Sequence, residues 1–286
     1  MIAFLMVLFA AVLWGTTGTA QTYIAGESSP IAVAMLRSII GGGILLVFVI
    51  WCKQINFREW QWRLTIGAAL SIAAFQSLFF TSVQLTGVAV GTVVTIGSAP
   101  IFAGIIEWLF WQVRPTKIWV IATVFSIIGA TLLVSAGGET VIKPLGVIIA
   151  LVAGFLFALY TNVSKRLMDH AQPLPAVALI FTICGLSLLP LSVTHLEWVP
   201  LQMNVIIILY LAIFTCSIAY WFYLSGLQRI SSSAAVTLSL AEPLTAALLG
   251  VLLIGEHLSK IAWCGVTFMF SGILLLTFFS KRTKQL

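Results

Sequence analysis

Charge is scarce in this 286-residue chain. Only 8% of its residues are Asp, Glu, Lys or Arg, against about a quarter in an ordinary soluble domain. With 61% hydrophobic residues and a mean hydropathy of +1.14, that scarcity excludes a soluble globule and points to an integral membrane protein. Cysteine is also rare. Cys184, Cys216 and Cys264 fall inside apolar stretches and Cys52 at the edge of one, which excludes a disulfide framework or metal-type spacing and leaves four packing residues. The histidines, His170, His195 and His257, all fall in connections. There is no H-E-x-x-H pair for zinc and no G-x-x-x-x-G-K-[ST] loop for nucleotide, so an intramembrane zinc enzyme and a directly ATP-driven machine are both disfavoured. We expect no catalytic residues, no metal and no cofactor.

What the chain does have is ten apolar stretches, each about long enough to cross a roughly 30 Å hydrocarbon layer. They cover approximately residues 2–22, 31–51, 64–83, 88–110, 118–136, 146–163, 174–193, 204–225, 233–254 and 261–280. The formal charge of +6 does not read as a nucleic-acid surface, because eleven of the fourteen basic residues fall in alternate connections or the tail. These are Lys53, Arg58, Arg63, Arg114, Lys117, Lys165, Arg166, Arg229, Lys281, Arg282 and Lys284; the opposite set holds Lys143 and Lys260, and Arg37 lies within a span. Under the positive-inside rule both termini are then cytoplasmic, and Glu27, Glu139, Glu197 and Glu256 lie outside. Most tryptophans, such as Trp51, Trp62 and Trp111, fit as interfacial anchors near cytoplasmic helix ends. Trp14, about twelve residues into its span, does not. Gly18-Thr19-Ala20 superficially resembles a signal-peptidase site, but only Met1 to Ala3 precede the apolar run, so the segment reads as a retained helix.

The second half repeats the first at a constant offset. Trp14 and Phe157, Pro30 and Pro173, Pro100 and Pro243, and Gly129 and Gly272 each differ by 143 in residue number. The predicted fold is therefore all-α and integral to the membrane: ten transmembrane helices as two five-helix repeats, 1–137 and 144–286, forming one membrane domain. Five crossings is an odd number, so the repeats must be inverted relative to one another, with N and C termini cytoplasmic. Two inverted halves around a central site is a recurrent build for secondary transporters.

The sequence also resembles a known family, the EamA-type, ten-helix members of the drug/metabolite transporter superfamily. The resemblance rests on "LWGTTGTA" at Leu13 to Ala20, "SPIAVAMLRSIIGGGILL" at Ser29 to Leu46, and "SSAAVTLSLAEPLTAALLGVLLIGEHLS" at Ser232 to Ser259. The first half departs from that last pattern, with Ala99 before Pro100 and Gln112-Val113 where the second half has Gly255-Glu256. The resemblance implies a central cavity formed by helices 1, 3, 4, 6, 8 and 9, and it is weak for substrate.

Candidate residues follow from helix faces. Trp14, Thr17, Gly18 and Gln21 share one side of helix 1, and their counterparts Phe157, Tyr160, Thr161 and Ser164 share a side of helix 6. Gln76 and Phe80 on helix 3, and Tyr220 and Tyr223 on helix 8, form aromatic and polar faces able to hold the apolar part of a metabolite or a cation. Thr95 on helix 4 is a further cavity candidate. On helix 9, Ser239, Glu242 and Thr245 make a narrow polar face, and an ionisable group near mid-membrane should face a cavity or a partner. Pro243 removes a helix N–H and should free the oxygen of Ser239, as Pro100 should free that of Ile96. Glu242 could bind substrate or a coupling proton, or could form a structural ion pair with Arg37, whose side chain could reach toward mid-membrane from about 9 Å below the outer edge. Pro100, Pro243 and Arg37 are assigned to gating or helix breaks. Glu107 reads as interfacial, near Arg114, and Glu256 and His257 as an outer loop cap or gate.

These expectations describe a multi-pass protein of the cell membrane, the bacterial cytoplasmic membrane in particular. Its partners would be the lipid bilayer and a small-molecule substrate, with proton coupling through Glu242 left open and no nucleic acid. The leading function is a secondary transporter exporting a small metabolite such as an amino acid or related compound by alternating access. Multidrug efflux of lipophilic cations, or a non-transporting membrane subunit or sensor, are the alternatives.

Overall fold

In a bilayer every backbone N–H and C=O must pair without water, so an apolar stretch becomes a helix. A computed structural model of the chain describes residues 1–26, 28–135, 143–192, 196–200, 202–255 and 258–279, and among these there are helices and no strand. The helices are α1 (Ile2–Gln21), α2 (Pro30–Trp51), α3 (Trp62–Gly87), α4 (Val90–Trp111), α5 (Lys117–Ser135), α6 (Pro144–Leu167), α7 (Pro173–Ser192), α8 (Gln202–Leu227), α9 (starting at Ser232) and α10 (Lys260–Phe279). Among the described residues nine are long and apolar enough to span a membrane, and the shorter α5 is apolar over Lys117–Leu133. The chain is a multi-pass membrane protein. Outside the described residues lie most of the expected boundary between repeats at 137–144, with Glu139, as well as Glu27, His195, Glu256, His257 and the basic tail with Lys281, Arg282 and Lys284.

Several helix boundaries depart from the expected spans. α3 and α4 were expected to be separated by a connection between residues 83 and 88, yet helix runs to the junction from both sides. The chain turns at Gly87, with φ 81° and ψ 157°, a conformation that only glycine adopts without steric cost. α8 contains a π-helical stretch, Leu211–Ile218. α9 is divided into Ser232–Leu238 and Ala241–Leu249, followed by a π-helical turn, Gly250–Ile254.

Without a hydrophobic driving force in lipid, helices associate where small residues let backbones come close. α2 packs on α7 and α5 on α10, and glycines sit at both crossings. A Cβ on Gly42 would lie 2.7 Å from the carbonyl carbon of Phe181, and one on Gly185 would lie 2.7 Å from the amide of Ile39. At the other crossing, a Cβ on Gly129 would lie 2.6 Å from the Gly265 oxygen, and one on Gly272 would lie 2.6 Å from the Ala122 oxygen. Large apolar side chains such as Val47, Phe110 and Leu252 stand on the exposed periphery, where lipid is as good a solvent for them as the protein interior. α1, α3, α4, α6, α8 and α9 are left to surround the centre.

Candidate functional site

A cavity of about 320 Å³ lies between those six central helices and also reaches α2. α1 contributes Trp14, Gly15, Thr17, Gly18 and Gln21, the stripe expected from its spacing together with one added glycine. α3 presents Phe75, Gln76, Phe79 and Phe80. Sequence reasoning picked Gln76 and Phe80 and missed the other two, although i, i+1, i+4, i+5 is the width of an ordinary helix face. Thr92, Thr95, Ile96 and Ala99 come from α4, Phe157 from α6, and Val236, Ser239, Glu242, Pro243 and Ala246 from α9. Thr95 is committed to structure, because its hydroxyl donates to the Ala150 carbonyl on α6 at 3.1 Å. Pro100 is buried and does not line the cavity.

One side of the cavity is an aromatic floor. The indole of Trp14 packs against Tyr220 at 4.7 Å and Tyr223 at 5.1 Å between ring centroids, and Phe181 meets Tyr220 at 4.1 Å. Trp14 is buried and its Nε1 donates to the Thr215 carbonyl at 3.0 Å. Thr215 lies in the π-helical stretch of α8, where the regular i to i+4 pairing is interrupted and a carbonyl can turn to an outside donor. Tyr220 lines the cavity, but Tyr160 and Tyr223, expected to do so, stand behind it. Both are fully buried, and the Tyr223 hydroxyl is hydrogen-bonded to that of Thr161 at 3.0 Å. Spacing along a helix could not show that Trp14 and Tyr220 would stand between these tyrosines and the cavity.

The charged residues are arranged differently from the expected ion pair. Among the described residues the salt bridge within 4.0 Å is Arg166 with Asp169, at 3.6 Å on the exposed end of α6. Arg37 does not form one with Glu242. Its Nη2 donates instead to Oε1 of Gln76 at 2.9 Å, and Gln76 Nε2 in turn donates to Cys184 Sγ at 3.3 Å. Cys184 is buried, with its sulfur 3.9 Å from the Ser38 hydroxyl, so a cysteine read as simple packing also orients the amide that holds Arg37. Glu242 lines the same cavity, close enough to Arg37 for the two charges to act on one another. Its carboxylate accepts no hydrogen bond from any described residue.

The expectation that Pro243 leaves the Ser239 carbonyl free is corrected by the local pairing. Glu242 N–H donates to the Ser239 oxygen at 2.9 Å, a tighter i to i+3 bond that recaptures it. The Ser239 hydroxyl donates to the Val236 carbonyl at 2.7 Å. Together these bonds hold the division of α9 that brings Glu242 to the cavity. Thr245, expected on the same polar face, instead donates to Ala241 O and packs against Gly15.

Glu107 was expected at the interface and is buried, at 6% exposure. Its two carboxylate oxygens accept the backbone N–H groups of Ser232 at 2.7 Å and Ser233 at 3.1 Å, at the start of α9. An acid there satisfies donors that have no partner within the helix and favours its positive end. Lys165 does the complementary thing at the end of α8, donating from Nζ to the carbonyls of Leu227 at 2.7 Å and Gln228 at 3.1 Å. The connection between α8 and α9 is thus clasped from both sides. Neither role leaves a local signature, since each cap comes from another helix.

Comparison with known proteins agrees with this architecture. The model of the EamA-like transporter family matches residues 1–135 and 144–278. The chain is 42% identical over 281 residues to an uncharacterized transporter, YwfM, of Bacillus subtilis (strain 168), covering 98% of this chain and 95% of that protein. It is 30% identical to an uncharacterized inner membrane transporter, YicL, of Salmonella typhimurium, covering 97% and 96% of the two. It is also 30% identical to protein PecM of Dickeya dadantii, covering 96% and 93%. A solved crystal structure shares the fold with a TM-score of 0.84 over 99% of each chain, at 17% identity. Family and relatives point to a transporter rather than an enzyme. An apolar chain whose central helices enclose a cavity carrying one arginine and one glutamate, and whose two halves each match the same family, belongs to the EamA-like transporter family within the drug/metabolite transporter superfamily.

Proposed function

We propose that this protein is a secondary transporter that exports a small metabolite, such as an amino acid or a related compound, by alternating access. The observation that carries the reading is the cavity itself: both halves of the chain contribute to it, and a divided helix with an ionisable group lies on its wall. Interrupted helices around a site near mid-membrane are how transporters place backbone dipoles and charges on a solute. In the proposed arrangement, residues 1–137 and 144–286 are inverted five-helix repeats rocking around the cavity. Both termini lie in the cytoplasm and the protein sits in the bacterial cytoplasmic membrane. The aromatic floor and the clasp at Glu107 and Lys165 then lie on the cytoplasmic side, and the cavity extends from them toward the outside.

Glu242 is the group through which proton exchange could drive export. Counterflow in proteoliposomes, with and without an imposed proton gradient, tests this. Gradient-independent flux that is unchanged in Glu242→Gln would remove the coupling and leave facilitated diffusion. A second reading, efflux of lipophilic cations, draws on the aromatic wall of Trp14, Phe75, Phe79, Phe80 and Phe157 beside one acid. Two observations weigh against it. Arg37 lines the same cavity, and 320 Å³ is at the small end of the roughly 300 to 1,000 Å³ typical of ligand pockets. Resistance to dyes and drugs on overexpression would favour the cation reading. Purified protein that moves no candidate metabolite yet binds a partner protein stably would favour a non-transporting subunit.

A further inference from the structure

We propose that the connection between α2 and α3, residues 53–63, is a docking surface for anionic phospholipid. The headgroup phosphate sits among Lys53, Arg58 and Arg63, and the acyl chains run beside Trp51, Phe57 and Trp62. This surface lies outside the central cavity, and its role does not depend on which solute moves or in which direction. α2 and α3 are both long and apolar enough to span a membrane, so the segment that joins them lies at the level of the lipid headgroups whichever side it faces. Its shape is fixed locally. Lys53 follows the end of α2 in a left-handed conformation, with φ 53°. Asn56 Oδ1 accepts from the Arg58 N–H at 3.3 Å, Trp62 Nε1 donates to Phe57 O at 3.1 Å, and Trp60 Nε1 donates to the Thr65 hydroxyl at 2.8 Å. Trp60 packs against the core and anchors the segment to the bundle. Trp51, Phe57 and Trp62 stay exposed, Trp51 at 81%, and the rings of Phe57 and Trp62 stack at 6.2 Å between centroids. Aromatic rings at the end of a membrane helix settle at headgroup level, where apolar and polar surroundings meet.

The cations of this segment have no partner in the protein. Lys53, Arg58 and Arg63 are exposed, and none of their side chains forms a salt bridge or a hydrogen bond with a described residue. Glu59, the acid of the segment, accepts instead from Asn56 Nδ2 at 2.9 Å. On α6 the basic residues are used differently: Lys165 holds the carbonyls that end α8, and Arg166 lies over the Trp111 ring at 5.2 Å and pairs with Asp169. Arg63 stands in the first turn of α3, where the helix dipole disfavours a positive charge, so it does not serve its own helix. A phosphodiester offers the acceptors that two guanidinium forks and an ammonium group lack. A zwitterionic headgroup brings its own cation, which these three repel, whereas an anionic headgroup does not. A free phosphate would meet the charges and leave the exposed rings uncovered; a lipid meets both.

Native mass spectrometry of the full chain in a nonionic detergent, titrated with phosphatidylglycerol or phosphatidylcholine of the same acyl chains, reads the binding of the first lipid. Phosphatidylglycerol should bind about tenfold more tightly or better, since each basic residue near an anionic surface is worth about fivefold. Arg58→Gln and Arg63→Gln should each cut that preference about fivefold, and Arg58→Lys with Arg63→Lys should keep most of it. Arg114→Gln with Lys117→Gln removes two charges from the connection between α4 and α5 and should leave the preference in place. Equal affinity for the two lipids overturns the proposal, as does a preference that survives Arg58→Gln with Arg63→Gln. An equal loss in the variant of the other connection also overturns it, because the lipid would then answer to net charge and not to a site. Displacement of phosphatidylglycerol by glycerol 3-phosphate or inorganic phosphate at matching concentration would make this an anion site without a lipid, and overturns it too. Raising ionic strength from about 0.1 M to about 1 M shortens the screening length from about 10 Å to about 3 Å and should weaken the preference of the unmodified protein severalfold. A preference indifferent to salt sinks the proposal even if a variant does not fold, which elution profile and helical circular dichroism would reveal.

Discussion

α4 and α9 are counterparts at the 143-residue offset, each with one proline, and they behave differently. α4 keeps helical dihedrals through Pro100, whereas α9 divides at Ser239 and Leu240, just before Pro243. Proline alone therefore does not divide a helix here. The difference lies in the neighbours: Ser239 ties its hydroxyl to Val236 O, while α4 has Ile96, which carries no hydroxyl, at the same offset. The end contacts differ too. Glu107 of α4 caps the start of α9, and the position answering it on α9 is Gly250, which has no side chain to return the contact. At the same offset, one helix carries an acid on the cavity wall and the other carries an acid that caps its neighbour.

The strongest attempt to break this contrast is to move the acid. Glu242→Ala should reduce counterflow by thirtyfold or more, from the roughly 2 to 5 kcal/mol lost when one partner of a charged contact is truncated, and adding Ala99→Glu should not restore it. Restored flux would make the two helices equivalent. Next in size are the close approaches. Gly15 lies against Glu242 O, where a Cβ would sit 2.7 Å away, and Gly154 lies against Thr95 O, where it would sit 2.6 Å away. Their offset counterparts, Ala158 and Ala11, already carry that Cβ, so the tight contact falls one turn apart in the two halves. Gly15→Ala and Gly154→Ala should each cost about 1 to 3 kcal/mol, read as a lower melting temperature in detergent. Equal stability in either variant would place the close approach elsewhere.

Loss of the one-sided cap comes third. Glu107→Gln removes a charge worth up to about 2 kcal/mol in a partly buried helix-end position, and should loosen the start of α9. With Cys52 and Cys264 replaced by alanine, a cysteine at Ser233 should then react with a thiol reagent about tenfold faster or more; an unchanged rate would assign Glu107 no part in holding that end closed. The smallest effects are expected at the prolines. Pro243→Ala restores a backbone donor that competes with Glu242 N–H for Ser239 O, and should lower flux a few-fold. Pro100→Ala, in a helix that is already continuous, should leave flux unchanged and melting equal or higher, because alanine is the better helix former. Equal losses at both prolines would erase the distinction between α4 and α9.

Much of this site was legible in order along the chain. Trp14, Thr17, Gln21, Gln76, Phe80, Thr95, Tyr220, Ser239, Glu242, Pro243 and Arg37 all line the cavity, and for the polar ones the reason is that a membrane helix keeps such residues on the face turned away from lipid. What stayed hidden depends on a second helix. The burial of Tyr160 and Tyr223 depends on Trp14 and Tyr220 standing in front of them, the cap at Glu107 on the approach of α9, and the carbonyl that Trp14 finds on the π-helical turn of α8.

The sequence by itself determined a multi-pass helical membrane protein, since only helices or closed barrels satisfy their backbones in lipid and only helices fit apolar runs of this length. It also determined where polar groups interrupt those runs. The tertiary structure alone decided how the charges are used. Arg37 and Glu242 are far apart along the chain, and whether two such groups neutralise each other or face a common space depends on the rotation and closeness of the helices that carry them. Here Gln76 draws Arg37 aside, and the division of α9 leaves Glu242 facing the cavity.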